Sequence, residues 1–162
     1  MQYKLQRTLK NKISFMGLGL HSGKAVNVSI YPASPNTGIN FVRTDLKKEV
    51  KIECNVKNIS RSFLCTTLMD SLSRQTIYTV EHLLAALYGN SIDNAVIEID
   101  AEEVPALDGS AVIFDNYIKD GGFIEQNTYK KYIKIKKKVS IIEKNKKIVL
   151  SPYNSFKIDC SI

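Results

Sequence analysis

The chain has 162 residues, 44% hydrophobic and 24% charged, which suits one domain, or one domain plus a piece of a second, around a buried core. No apolar run approaches the roughly 18–20 residues that span a membrane, and the start Met1-Gln2-Tyr3-Lys4-Leu5 has no apolar signal stretch. These exclude a transmembrane segment and make a mature cytoplasmic protein the expectation. The net charge of +7 points towards nucleic acid until it is divided: residues 1–126 hold 13 Lys+Arg against 14 Asp+Glu, and residues 127–162 hold 10 against 2.

Short segments rich in β-branched and aromatic residues open the chain. Lys4–Lys10 and Ala25–Tyr31 read as strands, and Val26, Val28 and Ile30 alternate with polar residues as in a half-buried strand. The glycine-rich run Gly17–Gly23 separates two strands. Its Gly-x-Gly-x-His-x-Gly spacing is wrong for a dinucleotide fingerprint and fits a tight turn or close approach of a ligand. Pro35-Asn36-Thr37-Gly38 is a turn signal, followed by a strand at Ile39–Val42. Asn58–Met69 mixes polar and apolar residues and is extended or irregular.

The clearest helix follows. Val80, Leu83, Leu84 and Leu87 recur at helical spacing, Thr79 is placed to cap the start, and Gly89-Asn90 signals the stop. Ala95–Asp100 alternates as a strand. Asp108 or Ser110 then caps a second helix from Ala111 to about Lys119, closed by Gly121-Gly122. Helices set against a largely antiparallel sheet predict an α+β, two-layer α/β sandwich.

Gln126-Asn127-Thr128 reads as a loop and places a boundary near residue 127, giving domains 1–126 and 127–162. Beyond it, Tyr132–Ile142 reads as a Lys-rich strand and Ile148–Leu150 as a short one. Phe156, Ile158, Cys160 and Ile162 alternate to the final residue. With no helix to cover them, these strands are expected to open a second α+β module that is cut off partway. The lysines Lys134, Lys136, Lys137 and Lys138 lack interleaved aromatic platforms, so they mark a solvated strand edge, and nucleic acid is not the expected partner.

The chemistry-bearing residues are few. Cys54, Cys65 and Cys160 are odd in number and widely spaced, without a C-x-x-C pair, which excludes a cysteine zinc knuckle. Cys54 and Cys160 read as small buried hydrophobes. The histidines are His21 and His82. Glu81 and His82 lie in the first turn of the predicted helix, about 100° apart around its axis. An imidazole on a metal beside a carboxylate that takes a proton from bound water is the division of labour of hydrolytic zinc sites. As a bare dipeptide the pair is better read as a surface pair near a helix start, where the dipole favours the acid. His21 fits a structural role in its glycine loop, and Asp108 a helix cap. A catalytic zinc takes about three protein ligands, and no local motif here completes that set.

Read together, ordered segments say more than any one. Gly17-Leu18-Gly19-Leu20-His21-Ser22-Gly23-Lys24, Asn36-Thr37-Gly38, Arg43-Thr44-Asp45 and Leu64-Cys65-Thr66-Thr67-Leu68 come first. Thr79-Val80-Glu81-His82-Leu83-Leu84-Ala85-Ala86-Leu87, Ile92-Asp93-Asn94 and Glu103-Val104-Pro105-Ala106-Leu107-Asp108-Gly109-Ser110-Ala111 follow. The chain resembles, from about Leu5 to its end, the UDP-3-O-acyl-N-acetylglucosamine deacetylases of lipid A synthesis in Gram-negative bacteria. The resemblance implies two similar α+β domains with the site between them, and a zinc-dependent amide hydrolase that removes acetate from a UDP-3-O-acyl-glucosamine-type substrate. It implies that His82 is a zinc ligand, that Glu81 is the general base, and that Leu64, Cys65 and Thr66 line the substrate cleft. His21 and Asp108 match motif positions near the site. The family's second domain supplies a His and an Asp in an H-K-x-x-D stretch and a catalytic His, none of which occurs here. The chain is therefore expected to be a truncated first half, inactive alone and lacking its second domain as partner. The alternatives are a non-catalytic basic binding module and an assembly fragment.

Overall fold

The computed structural model describes residues 4–60 and 63–161, so Met1–Tyr3, Arg61, Ser62 and Ile162, with the expectations that fall on them, lie outside the described residues. The chain divides into two compact units, Met1–Lys130 and Lys131–Ile162.

The first unit is built on a sheet of described strands in the order β2-β3-β8-β4-β5: Ile13–Leu18, Ala25–Pro32, Ala95–Ile99, Ile39–Arg43 and Val50–Glu53. Neighbours run antiparallel except β4 and β8, which are parallel. Register puts the apolar residues of each strand on one face. Phe15 pairs with Val28, Val28 with Ile99, Ile30 with Ile97, and Phe41 with both Ile97 and Ile52. All of these are buried, whereas Ser14, Met16 and Asn27 point to the other face and are exposed. A one-residue slip in any strand would reverse that assignment, so the core itself fixes the register.

Two helices cover the buried face: α1 (Glu81–Gly89) and α2 (Val112–Gly121). Leu83, Ala86 and Leu87 of α1 and Phe114 and Ile118 of α2 enter the same core as the sheet. Full burial of a leucine contributes about 2 kcal/mol, so Leu83 and Leu87 alone hold α1 down more firmly than any cap could. Phe114 meets Phe15 edge-on at 5.5 Å between ring centroids, and Tyr117 stacks on Phe15 at 5.1 Å. The unit is a mixed, sheet-rich α+β structure.

Two smaller ribbons complete it. β1 (Leu5–Leu9) pairs antiparallel with β9 (Phe123–Tyr129), and β6 (Thr67–Met69) with β7 (Thr76–Tyr78). β9 corrects the expected loop at 126–128. Gln126 looked like loop sequence because its amide is polar, but that amide is used internally: Nε2 donates to the Ala33 carbonyl at 2.7 Å, and Oε1 accepts from Asn94 at 2.7 Å. The compact unit runs on to Lys130, whose ammonium sits 2.7 Å from Asp93.

Both expected helix caps also differ. Val80, already helical at φ −83°, occupies the N-cap position of α1, and Thr79 precedes it at φ 59° with its hydroxyl engaged elsewhere. Ala111 occupies the N-cap of α2. There Asp108 and Ser110 shape the preceding loop: Asp108 accepts from the Ser110 N–H at 3.0 Å, and Ser110 Oγ accepts from the Val112 N–H at 3.1 Å.

In the second unit, β10 (Val139–Glu143) and β11 (Lys146–Leu150) form a hairpin with Glu143 opposite Lys146. Residues 132–138 and 156–161 form no strand, against expectation. Ile141, Ile142 and Ile148 are exposed, so alternation there has no buried face to act on. Cys160 is exposed as well, not a buried hydrophobe; Cys54 does pack against the core, and burial pushes its thiol up. Among the described residues no helix is long and apolar enough to cross a membrane.

Candidate active site

The start of α1 is where the chain's chemistry collects. β7 ends at Tyr78, which is stitched to the segment after β8: Tyr78 N–H donates to the Glu102 carbonyl at 3.0 Å, and Val104 N–H to the Tyr78 carbonyl at 3.0 Å. Thr79 then turns the chain in the left-handed region, an arrangement that a β-branched residue adopts at a cost of about 1–3 kcal/mol. Val80 plugs into the core, and Glu81 and His82 follow, both half-buried.

Three other segments meet this helix start. Thr66 donates its N–H to Glu81 Oε2 at 3.0 Å, which brings the Leu64-Cys65-Thr66 stretch against the carboxylate. Leu64 is 79% exposed and sits at φ 65°, and Cys65 Sγ lies 3.7 Å from Thr67 Oγ1. The glycine loop between β2 and β3 closes through Gly19 N–H on the Lys24 carbonyl, and it carries His21 exposed at its tip. Segment 103–111 runs beside that loop, with Ala106 N–H donating to the Leu18 carbonyl at 2.9 Å. Leu107 at φ 52° leads into Asp108, which is exposed. Hydrogen bonds from the Ser110 N–H and hydroxyl hold the Asp108 carboxyl below the ordinary value of 3.8. Leu64, Thr79 and Leu107 are thus left-handed non-glycine residues on three of the segments that converge here. Strain of that kind gathers where a site must hold side chains in a set direction.

The structure therefore brings Glu81 together with Thr66. His21 is joined to the group through its backbone. A residue outside the expected site does the joining: Glu103, fully buried, accepts from the His21 N–H at 3.0 Å, the Ser22 N–H at 2.8 Å and the Thr79 hydroxyl at 3.1 Å. Burial alone would push its carboxyl up, but the donors from Ser22, His21 and Thr79 outweigh that and hold it below the ordinary 4.5. In sequence, Glu103 is one of two adjacent acids before Val104-Pro105, and nothing local tells the buried one from its exposed-looking neighbour. Beside it, burial and a hydrogen bond with Glu102 push the Tyr78 phenol up to about 12.

As donors, an imidazole with a carboxylate beside it suits a hydrolytic zinc in kind. In number it falls short: among the described residues, no three His, Cys, Asp or Glu side chains come together to hold a metal ion.

The family model described as UDP-3-O-acyl N-acetylglycosamine deacetylase matches residues 6–162. Over 157 residues, 97% of this chain, it is 45% identical to the UDP-3-O-acyl-N-acetylglucosamine deacetylases of Pasteurella multocida (strain Pm70) and Haemophilus influenzae (strain PittEE). The enzyme of that name from Aliivibrio fischeri is 45% identical over the same share. The match covers 51% of each relative, so the chain spans about half the length of the curated relatives it matches.

Proposed function

The chain belongs to the UDP-3-O-acyl N-acetylglycosamine deacetylase family, and from that membership we propose that it forms the half of a lipid A pathway amidase that carries the general base and one metal ligand. The supporting observation is at the start of α1, where a carboxylate anchored by the Thr66 N–H is followed directly in the first turn by a half-buried imidazole.

In this reading Glu81 takes the proton from the attacking water and later delivers it to the leaving amine of the glucosamine. Acetate departs as the amide C–N bond breaks. The Thr66 N–H holds one carboxylate oxygen, and the other takes the proton in this reading. His82 would hold a zinc ion, which when bound supplies Lewis acidity and lowers the pKa of water. The exposed Leu64 and half-buried Cys65 and Thr66 form the wall that receives the acylated sugar. The remaining metal ligands and a second family domain lie in sequence that these 162 residues do not contain. The polypeptide 1–162 by itself is accordingly expected to turn over negligibly.

The test is a hybrid enzyme in which residues 1–162 replace the matched half of the Pasteurella multocida relative. The hybrid should release acetate from UDP-3-O-acyl-N-acetylglucosamine with zinc present, and polypeptide 1–162 alone should not. Undiminished turnover by the hybrid carrying both Glu81→Ala and His82→Ala would overturn the proposal.

A further inference from the structure

We infer that Glu103 is a positioning residue for the Glu81–His82 pair, acting as a buried anionic peg that locks the His21 loop to the backbone turn from which α1 starts. The inference rests on the amidase reading only for the role of Glu81 and His82; the peg itself is read from geometry. Glu103 has no exposed surface, and among the described residues none of the ion pairs includes it. A buried carboxylate without a cation survives only when donors replace its lost water. Here those donors come from two separate segments. His21 and Ser22 belong to the loop after β2, and Thr79 lies two residues before Glu81.

Oε1 is shared between the His21 N–H and the Thr79 hydroxyl, so neither can move without disturbing the other. Thr79 is also the left-handed residue that sets the direction in which α1 leaves β7. The peg therefore stabilises the strained turn at the point that aims both site side chains. The loop is shaped to receive it: a Cβ on Gly19 would run into the Glu103 carboxylate and Ser22 Oγ. Groups that orient a ligand or base without touching substrate commonly govern 10–100-fold of activity.

The experiment takes Glu103→Gln, Thr79→Val and Thr79→Ser in polypeptide 1–162 and in the hybrid. Thr79→Val keeps the branched shape and deletes one donor, and Thr79→Ser returns it. In 1–162, Glu103→Gln and Thr79→Val should shift the amide resonances of Glu81 and His82 and the His82 ring protons, leaving those of β8 in place. In the hybrid they should lower kcat by about 10–100-fold with KM changed less than about threefold, and Thr79→Ser should restore most of kcat. Unmoved Glu81 and His82 resonances, or an unchanged kcat, would overturn the inference; so would a Thr79→Val loss that serine fails to rescue. If Glu103→Gln does not fold, the valine–serine pair decides alone. A hybrid whose Glu81→Gln form keeps full turnover would sink the amidase reading instead, while the resonance shifts in 1–162 still judge the peg.

Discussion

The backbone N–H of Thr66 lies 3.0 Å from Glu81 Oε2, and in the opposite sense the Thr66 carbonyl accepts from the Val80 N–H at 3.5 Å. One residue of an irregular segment thereby brackets the first turn of α1. The carboxylate is tied to backbone and not to a side chain, which separates what mutation of Thr66 and mutation of Glu81 will do.

Glu81→Gln in the hybrid should lower kcat by about 10²–10⁴-fold with KM little changed, since the amide keeps the Thr66 contact but cannot take a proton. Thr66→Ala leaves the backbone donor in place and should act on KM alone. Thr66→Pro deletes the donor and should lower kcat. Steady-state kinetics on the three variants checks this; a kcat for Glu81→Gln within a few-fold of the parent would remove Glu81 from the role of base.

The boundary of the first unit makes a second prediction. Residues 127–130 contribute the Leu5–Tyr129 pairing, the Tyr129 carbonyl that accepts from Gln6 at 3.1 Å, and the Lys130–Asp93 ion pair. A polypeptide ending at Lys130 should fold cooperatively. One ending at Gln126 loses those contacts and should be less stable by about 2 kcal/mol, roughly two net hydrogen bonds. Urea unfolding of the two measures the gap; equal midpoints would show that β9 needs no more than its first four residues.

That boundary also shows what the sequence could and could not reveal. Segments whose pattern follows burial were legible: β3, β8 and α1 stand where apolar periodicity puts them, and β4 and α2 where turn and stop signals bound them. The glycine loop was legible as a turn. Polar segments that turn inward were not, because Gln126, Thr79 and Glu103 owe their positions to partners 24 or more residues away. Nothing in the local pattern separates such residues from loop, cap or surface. The hairpin unit erred in the other direction, since apolar alternation at 132–138 and 156–160 exists without strand structure or a covered face. Within the candidate site, the Glu81–Thr66 contact joins two of the ordered motifs, and the peg joining the His21 loop to the start of α1 became visible only in three dimensions.

Arg43 and Asp45 carry a pH-dependent part of stability. The guanidinium is 4% exposed, meets Asp45 through Nε at 2.8 Å and Nη2 at 2.7 Å, and donates to the Thr76 carbonyl. The hydrogen bond from Arg43 holds the Asp45 carboxyl below its ordinary 3.8 despite partial burial. A folded value below the unfolded one means that the contribution is complete above about pH 4 and is lost as the pH falls through the folded value. Asp45→Asn should therefore cost about 2 kcal/mol at pH 7, and the gap from the parent should close below the folded value. Urea midpoints at several pH values test this; a gap that stays constant into acid would mean that the pair contributes nothing electrostatic.

Two glycines of one loop should respond to alanine in different ways. Gly23 has φ 64° with nothing within 4 Å of a built Cβ, so Gly23→Ala meets backbone strain alone, about 1–2 kcal/mol of stability. Gly19 is buried, and its added Cβ would collide with Ser22 Oγ and the Glu103 carboxylate. Gly19→Ala must displace the carboxylate from Thr79 or push the His21 loop away, so its damage extends to the aim of α1. In the hybrid, Gly19→Ala should reproduce the kcat loss of Glu103→Gln, while Gly23→Ala lowers the melting temperature with kcat nearly intact. Should both leave kcat alone and differ only in stability, the loop would be a scaffold with no hold on the site.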